Sequence, residues 1–369
     1  MYFFIDPMSY NNLEDYDVNV LSKFSKDEVL FFGNIKLKST IEFEKKLIFN
    51  YSDKKGVKKV LSYLKSQFIL LYFIFKKKPV LLHFQWFKLP FFDFVLLLLI
   101  NSIYPKTKII FTAHNILPHD TGLKFFKIFK KIYNLVDKII VHDNNTKKEI
   151  LDQFLLKEDK VQVVFHGLLN LEKNEEKIEE ISNSIKYDGK IVFAFMGHIN
   201  KYKGIELLFE AWNNSDTLKN NNNIQLLIIG KGGKVYSDKF KKFKNVKIIN
   251  SYLSNNEFVS YIRISDIILM PYIKISQSGI LLTVLNERKF VIVSNVGGLA
   301  DPFKLGNVGW MLPELSSKLL EEYIIKVSNK FKKGSLIDNN VFRKIQNVYN
   351  WDAISQQTKN LYITIINEK

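Results

Sequence analysis

Short runs of β-branched and aromatic residues alternate along this chain with longer segments of helical periodicity, and that alternation is the tightest constraint on its fold. Strands that read as near-continuous apolar runs need cover on both faces, which a parallel sheet obtains from its own crossover helices. Such runs fall near 2–5, 28–32, 80–84, 108–113, 138–142 and 161–165, and again near 190–196, 224–230, 246–249, 266–270, 290–294 and 308–311. Between the two sets lie the charged stretch 171–180 and then Tyr187-Asp188-Gly189, which suit an exposed connection or a surface helix. The expected fold class is therefore α/β: two doubly wound Rossmann-like domains, at 1–170 and 185–350, with about six strands each and a crevice between them. Ligands of such sheets lie at the carboxyl ends of the strands.

At 369 residues the chain is long enough for two such domains. It carries 54 Lys and Arg against 37 Asp and Glu, a net charge of +17 shared evenly by the two halves. That field favours a polyanion, an anionic membrane surface or a phosphorylated small molecule. The absence of Cys excludes a disulfide framework, a thiolate metal site and a thiol nucleophile, and fits a reducing compartment. The opening Met1–Pro7 has no cationic n-region and reads as a first strand rather than a signal peptide. The longest apolar run, Phe91–Ile103, is interrupted by Asp93 and Asn101 and falls short of the roughly 20 residues of a bilayer span. It is expected to be a buried core helix entered after Pro90. A cytoplasmic protein follows, with any membrane contact peripheral and at the inner face.

The sharpest local signal is Phe195-Met-Gly197-His198-Ile-Asn-Lys-Tyr-Lys203-Gly204, set between a buried strand and a helical pattern. A strand, a glycine turn and a helix start expose backbone amides to an anion, and Lys203 adds a mobile full charge. A second such turn is Pro271-Tyr-Ile-Lys-Ile-Ser276-Gln277-Ser278-Gly279, leading into Thr283; its hydroxyls can donate to phosphate oxygens and Gly279 has no Cβ to block approach. Two anion sites in one domain imply a diphosphate. Gly230 and the Gly232-Gly233 pair, with Gly297-Gly298, add turns at strand ends where a nucleotide can approach.

In the first half, Thr112-Ala-His114-Asn-Ile-Leu-Pro-His119-Asp120 ends a strand with two His and an Asp that would face a ligand; a metal site is the competing reading. Gln85 and Trp86 end another strand with polar edges and an aromatic face suited to a sugar, although such a Trp is commonly core. His142 and His166 also end strands. The acid-free stretch Lys54–Lys78 and the piece Lys124–Lys131 interleave Lys with Phe, Tyr and Leu; both read as helices with cationic edges, either solvated on buried helices or facing an anionic membrane.

Taken in order, Thr112–His119, Gly197–Gly204, Ser265–Tyr272, Ser276–Gly279 and Ser294–Leu299 resemble the motifs of GT-B fold glycosyltransferases of the family 4 type, which build bacterial surface polysaccharides. The resemblance covers nearly the whole chain. It implies a nucleotide sugar held by the second domain, a saccharide acceptor held by the first, no metal or other cofactor, retention of anomeric configuration, and a final helix from Trp351 crossing back onto the first domain. His198 stands where that family has Arg, which leaves the full charge at the diphosphate to Lys203. The family's pair of glutamates is replaced by Ser276, Ser278, Thr283 and Val284.

The expected protein is therefore a metal-independent hexosyltransferase moving a sugar from a nucleoside diphosphate to an acceptor carried on a polyprenyl diphosphate. His114 and Lys203 are the catalytic candidates. Gly197, His198, Gly230, Ser276, Gln277, Ser278, Gly279 and Thr283 would line the donor side; Gln85, Trp86, His119 and Asp120 the acceptor side. The rivals are other nucleotide-sugar chemistry on the same fold, such as epimerisation, and a basic nucleic-acid binder, which would gather its Lys on one face beside stacking aromatics rather than scatter them.

Overall fold

The computed structural model describes residues 1–10, 14–118, 123–169, 171, 174–184 and 189–368. It divides into two compact units, Met1–His166 with Asn350–Lys369, and Gly167–Tyr349.

The first unit is built on β1 (Tyr2–Ile5), β2 (Val29–Asn34), β3 (Glu44–Phe49), β4 (Leu81–Phe84), β5 (Lys108–Thr112), β6 (Lys138–Val141) and β7 (Val161–Val163), all parallel, in the order β3-β2-β1-β4-β5-β6-β7. Tyr2 aligns with Val29 on one side and Leu81 on the other, so β1 and β4 flank the point where strand order reverses. On one face lie α2 (Gly56–Lys77), α3 (Pro90–Ile103), α4 (Phe126–Leu135) and α5 (Asn144–Phe154), around Leu70, Leu97, Ile132 and Phe154. On the other face α1 (Glu14–Val20) meets the chain-terminal helix, packing Val20 and Leu21 with Ile354 and Ile365. Local chemistry sets the helix starts: Asp143 caps α5 by accepting from Thr146 N–H at 2.7 Å, and Pro90 opens α3, whose Asp93 accepts from Leu89 N–H at 2.8 Å.

Sequence reading finds six strands here, and among the described residues there are seven. Strand β3 escapes because it pairs only with β2 at the sheet edge, where Glu44, Lys45 and Leu47 are exposed and no apolar run is needed. The expectation of a buried helix at Phe91–Ile103 is also corrected. Helix α3 buries Leu96, Leu97 and Ile100 but exposes Phe91, Phe92, Val95, Leu98, Leu99 and Ile103.

The second unit carries β8 (Ile191–Met196), β9 (Ile224–Ile229), β10 (Val246–Ile249), β11 (Ile267–Met270), β12 (Phe290–Ser294) and β13 (Gly309–Leu312), parallel in the order β10-β9-β8-β11-β12-β13. Its helices are α6 (Glu175–Ser184), α7 (Ile205–Asn214), the short α8 (Asp216–Asn220) and α9 (Lys234–Ser237), α10 (Asn255–Ile264), α11 (Gly279–Asn286), α12 (Ser317–Lys330) and α13 (Asn339–Val348). The charged segment before β8 thus forms α6 and belongs to this unit. Arg263 of α10 ties it down, donating to Glu175 at 2.7 Å and to Glu287 at 2.8 Å. The last helix, α14 (Trp351–Asn367), belongs to the first unit.

Candidate functional site

In the second unit the reversal of strand order lies between β8 and β11, and the loops leaving those strands carry Lys203 and Gly279. The loops are locked to one another by backbone contacts too close for a side chain. A Cβ on Gly230 would stand 2.0 Å from the carbonyl oxygen of Gly197, and one on Gly204 would stand 1.9 Å from that of Pro271. Gly230 is therefore required by the neighbouring chain, a simpler reason for it than nucleotide approach.

This packing fixes Lys203. Sequence reading expects a mobile charge at Lys203; the residue is instead buried, 8% exposed, with Nζ 5.3 Å from the centre of the Tyr272 ring. The same Nζ lies 2.7 Å from where a Gly197 Cβ would be, and Ile280 Cδ1 of α11 lies 2.4 Å from the same point. Desolvation pulls the Lys203 pKa down from 10.5 to about 8. A cation held in a partly apolar niche beside a helix start is a poised receptor for an anion.

Helix α11 begins at Gly279 with Ser278 as its cap, the hydroxyl accepting from Leu281 N–H at 3.4 Å and keeping its own proton to give. Gly279 is exposed, and among the described residues a Cβ there would meet only Leu169 Cδ1, at 3.1 Å. Thr283 is buried and donates to Gly279 O at 2.9 Å, so its hydroxyl supports the helix start. Ser276 and Gln277 are half-buried on the same loop, where Ser276 O accepts from Gly298 N–H at 2.8 Å. His198 is exposed beside Gly232.

In the first unit the strand ends gather four of the six histidines, counting His166, whose ring lies 6.0 Å from that of His142. Tyr362 Oη of α14 lies 2.5 Å from His83 Nδ1, and His83 Nε2 lies 2.7 Å from Thr112 Oγ1. The Gln85 amide bridges His83 Nε2 and His114 Nε2 at 3.0 Å each. His114 Nδ1 lies 3.2 Å from His142 Nε2, and His142 Nδ1 donates to Val164 O at 2.8 Å. Burial pushes all three imidazoles toward the neutral form: His83 down to about 3, His142 to about 4, and His114 well below its ordinary value.

Trp86 is half-buried and stacks on His114, ring centres 4.5 Å apart and planes at 11°, with Lys88 Nζ 5.3 Å from the Trp86 ring. It is thus the wall of this cluster. The structure brings together His114, Gln85 and Trp86; His119 and Asp120 lie outside the described residues. Among the described residues no three His, Asp or Glu side chains are placed to hold a metal ion.

Sequence reading misses Tyr16, Trp351 and Tyr362. Tyr16 lies edge-on to His114 at 5.3 Å and Trp351 edge-on to His166 at 5.0 Å, both brought in by helices distant in sequence from the strand ends. It also misses Asp6, at the end of β1, whose carboxylate accepts from Met8 N–H at 2.6 Å and is raised by burial to about 6. The signal available for Asp6 is its position beside the reversal of strand order.

A family model described as Glycosyl transferases group 1 matches residues 175–341, and one described as Glycosyltransferase Family 4 matches residues 41–168. Two uncharacterized glycosyltransferases of Methanocaldococcus jannaschii are 24% and 23% identical over 61% and 65% of this chain. The chain spans about three fifths of the length of these curated relatives, 59% and 62%. Among solved structures, sucrose-phosphate synthase from Thermosynechococcus elongatus superposes with a TM-score of 0.75 at 13% identity, covering 100% of this chain and 99% of that one. Anabaena HepE in complex with UDP-glucose gives 0.70 at 12%, covering 98% and 99%, and a glycosyltransferase from Rickettsia africae gives 0.70 at 16%, covering 100% and 99%. At these identities the solved structures bear on the fold. The two family models, one on each unit and in family order, carry the rest: the chain belongs to the GT-B glycosyltransferases of the family 4 type.

Proposed function

We propose that this protein transfers a hexosyl group from a nucleoside diphosphate sugar to a saccharide acceptor carried on a polyprenyl diphosphate, with retention of configuration, in the assembly of a surface polysaccharide. The observation that carries the reading is the buried Lys203 ammonium, held between Gly197 and the start of α11. In the reaction the bond from the anomeric carbon to the diphosphate breaks and its electrons leave on the phosphate oxygen. The acceptor hydroxyl oxygen bonds to that carbon and passes its proton to the departing diphosphate oxygen. The barrier therefore depends on stabilising negative charge that grows on the diphosphate. Lys203 and the amides near Gly197 and Gly279 are fixed before the reaction begins, so little reorganisation is needed as that charge appears. This compensation needs no metal. The UDP-glucose complex of HepE, a protein of the same fold, supports a nucleotide sugar as donor.

His114, kept neutral, has both ring nitrogens engaged by Gln85 and His142 and one face covered by Trp86, so its part in this reading is to hold Gln85 and Trp86 in place on the acceptor side. The test is incubation with a panel of nucleotide sugars and lipid-linked or free acceptors, with and without EDTA, scoring nucleoside diphosphate release and glycoside formation. One donor should be turned over equally in both conditions. Epimerised donor without transfer would overturn the reading in favour of other chemistry on the same fold. Activity restored only by magnesium or manganese would overturn the metal-free part.

A further inference from the structure

Tyr272 stands two residues beyond β11, after Pro271, and its ring lies beside the Lys203 ammonium at 5.3 Å. The fold holds it firmly. The residue is 1% exposed, its carbonyl oxygen accepts from Ser294 Oγ at 2.5 Å, and the next residue, Ile273, donates its N–H to Tyr202 O at 2.8 Å. Other buried tyrosines satisfy their hydroxyls as expected: Tyr51 donates to Pro7 O at 3.1 Å, Tyr63 to Asp93 Oδ1 at 2.9 Å and Tyr133 to Ile116 O at 2.6 Å. The Tyr272 hydroxyl does not. It is closed off from solvent and has no hydrogen-bond partner among the described residues, an arrangement that costs stability and calls for a reason.

The surroundings of that hydroxyl supply one. Burial raises the phenol above its ordinary range, so it keeps its proton to donate, and the Ser278 hydroxyl beside it acts in the opposite sense. Ser278 is thus its polar neighbour, but without the alignment of a hydrogen bond. Ser278 caps α11 loosely: its Oγ accepts from Leu281 N–H at 3.4 Å, beyond the usual range for such a bond, which leaves the oxygen a second lone pair and a proton to give. An anion at the start of α11 takes that proton. A serine oxygen that donates outward becomes a better acceptor, and the phenol O–H is the donor at hand. Because the phenol oxygen is itself sealed from solvent, it serves a ligand through Ser278 rather than by direct contact.

We propose that Tyr272 is a positioning residue for the donor diphosphate: its O–H, left without a partner among the described residues, bonds to Ser278 Oγ when Ser278 donates to a phosphate oxygen at the start of α11. One side chain then serves both charges of the site, its ring beside Lys203 and its hydroxyl behind the helix cap. The proposal rests on the diphosphate reading of this site. Calorimetric titration of the parent with UDP, GDP and ADP identifies the nucleotide it binds, and that nucleotide is used on the variants. Tyr272→Phe keeps the ring beside Lys203 and removes only the hydroxyl. It should bind about three- to tenfold more weakly, the scale of one neutral hydrogen bond, with a urea midpoint equal to or above the parent's because a bare buried hydroxyl is gone. A merely structural tyrosine would lose stability and would overturn the proposal. Adding Tyr272→Phe to Ser278→Ala should cost no further affinity, and additive losses would overturn the route through Ser278. In the parent labelled with carbon-13 at tyrosine Cζ, the Tyr272 resonance should move on nucleotide addition, and in Ser278→Ala it should stay, a readout that does not depend on Tyr272→Phe binding anything. Unchanged affinity in Tyr272→Phe, beside a parent that binds nucleotide, would overturn the role of Tyr272 and leave the diphosphate reading standing. A parent that binds none of the three would overturn both.

Discussion

His114 Nδ1 lies 3.2 Å from His142 Nε2, and this contact sets the proton positions of the whole histidine chain. His142 Nδ1 faces a carbonyl oxygen and must donate, which leaves Nε2 of the neutral ring as an acceptor. His114 then donates from Nδ1 and accepts at Nε2, so the Gln85 amide, turned end for end, gives its NH2 to His114 and its carbonyl to His83 Nε2–H. Tyr362 O–H donates to His83 Nδ1, and every donor points the same way.

The first prediction concerns these tautomers. Long-range nitrogen–proton correlation spectra should show His114 and His142 as Nδ1–H and His83 as Nε2–H, all three neutral at pH 5, in line with their lowered pKa values. Gln85→Glu puts a carboxylate beside His114 Nε2 and should bring its titration back toward or above its ordinary 6.5 while lowering transfer. A His114 that still resists protonation would break the assigned polarity.

Lys203 yields a prediction about stability. Its folded pKa of about 8 lies below the 10.5 of the unfolded chain, so the unfolded state binds more protons between those values and stability rises with pH across that window. Below about pH 8 the folded state carries the full cost of a buried cation. Lys203→Met should therefore stabilise the ligand-free protein at pH 7 by about 1–3 kcal/mol in urea unfolding, while Lys203→Ala lowers transfer by about 10²-fold or more. Losing both stability and activity would mark the residue as structural.

The same titration couples to ligand. A diphosphate beside Lys203 favours the charged form, so binding above pH 8 should take up a proton. Affinity for the nucleoside diphosphate should be flat below about pH 7 and fall by up to about tenfold per pH unit above 8. Calorimetry in buffers of different ionisation enthalpy measures the proton uptake directly. An affinity that does not vary between pH 7 and 9.5 would separate Lys203 from the phosphates.

The two parallel sheets and the glycine turns at Gly197 and Gly279 that lead toward helix starts are legible in the sequence because buried strands must be apolar and tight turns with free amides need glycine or a cap beside them. What is not legible arises from chain segments far apart. His83 sits in an apolar strand, and only the fold sets it between Thr112 and Tyr362, a residue 279 positions away. The burial of Lys203 depends likewise on the Tyr272 ring and Ile280, contributed by other loops. Edge strand β3 and the exposed stripe of α3 mislead for one reason: composition reports how apolar a segment is, and its neighbours in space decide which side meets solvent.

Two glycines on the donor side should respond oppositely to a side chain. Gly230 has φ +131° and its Cβ would stand 2.0 Å from the Gly197 carbonyl oxygen, a rigid backbone atom. Gly230→Ala must therefore distort the loops after β8 and β9, and it should cost about 2–3 kcal/mol of stability, with affinity lost as a consequence. Gly279 opens α11 in ordinary helical backbone, and among the described residues its new Cβ would touch only the movable end of Leu169. Gly279→Val should fold within about 1 kcal/mol of the parent, yet its branched side chain would occupy the space in front of the helix amides. Isothermal titration should then show nucleoside diphosphate affinity reduced at least about tenfold, the scale of one lost charge-assisted contact. Unchanged affinity in a folded Gly279→Val protein would move the diphosphate away from α11 and leave Lys203 as its sole anchor.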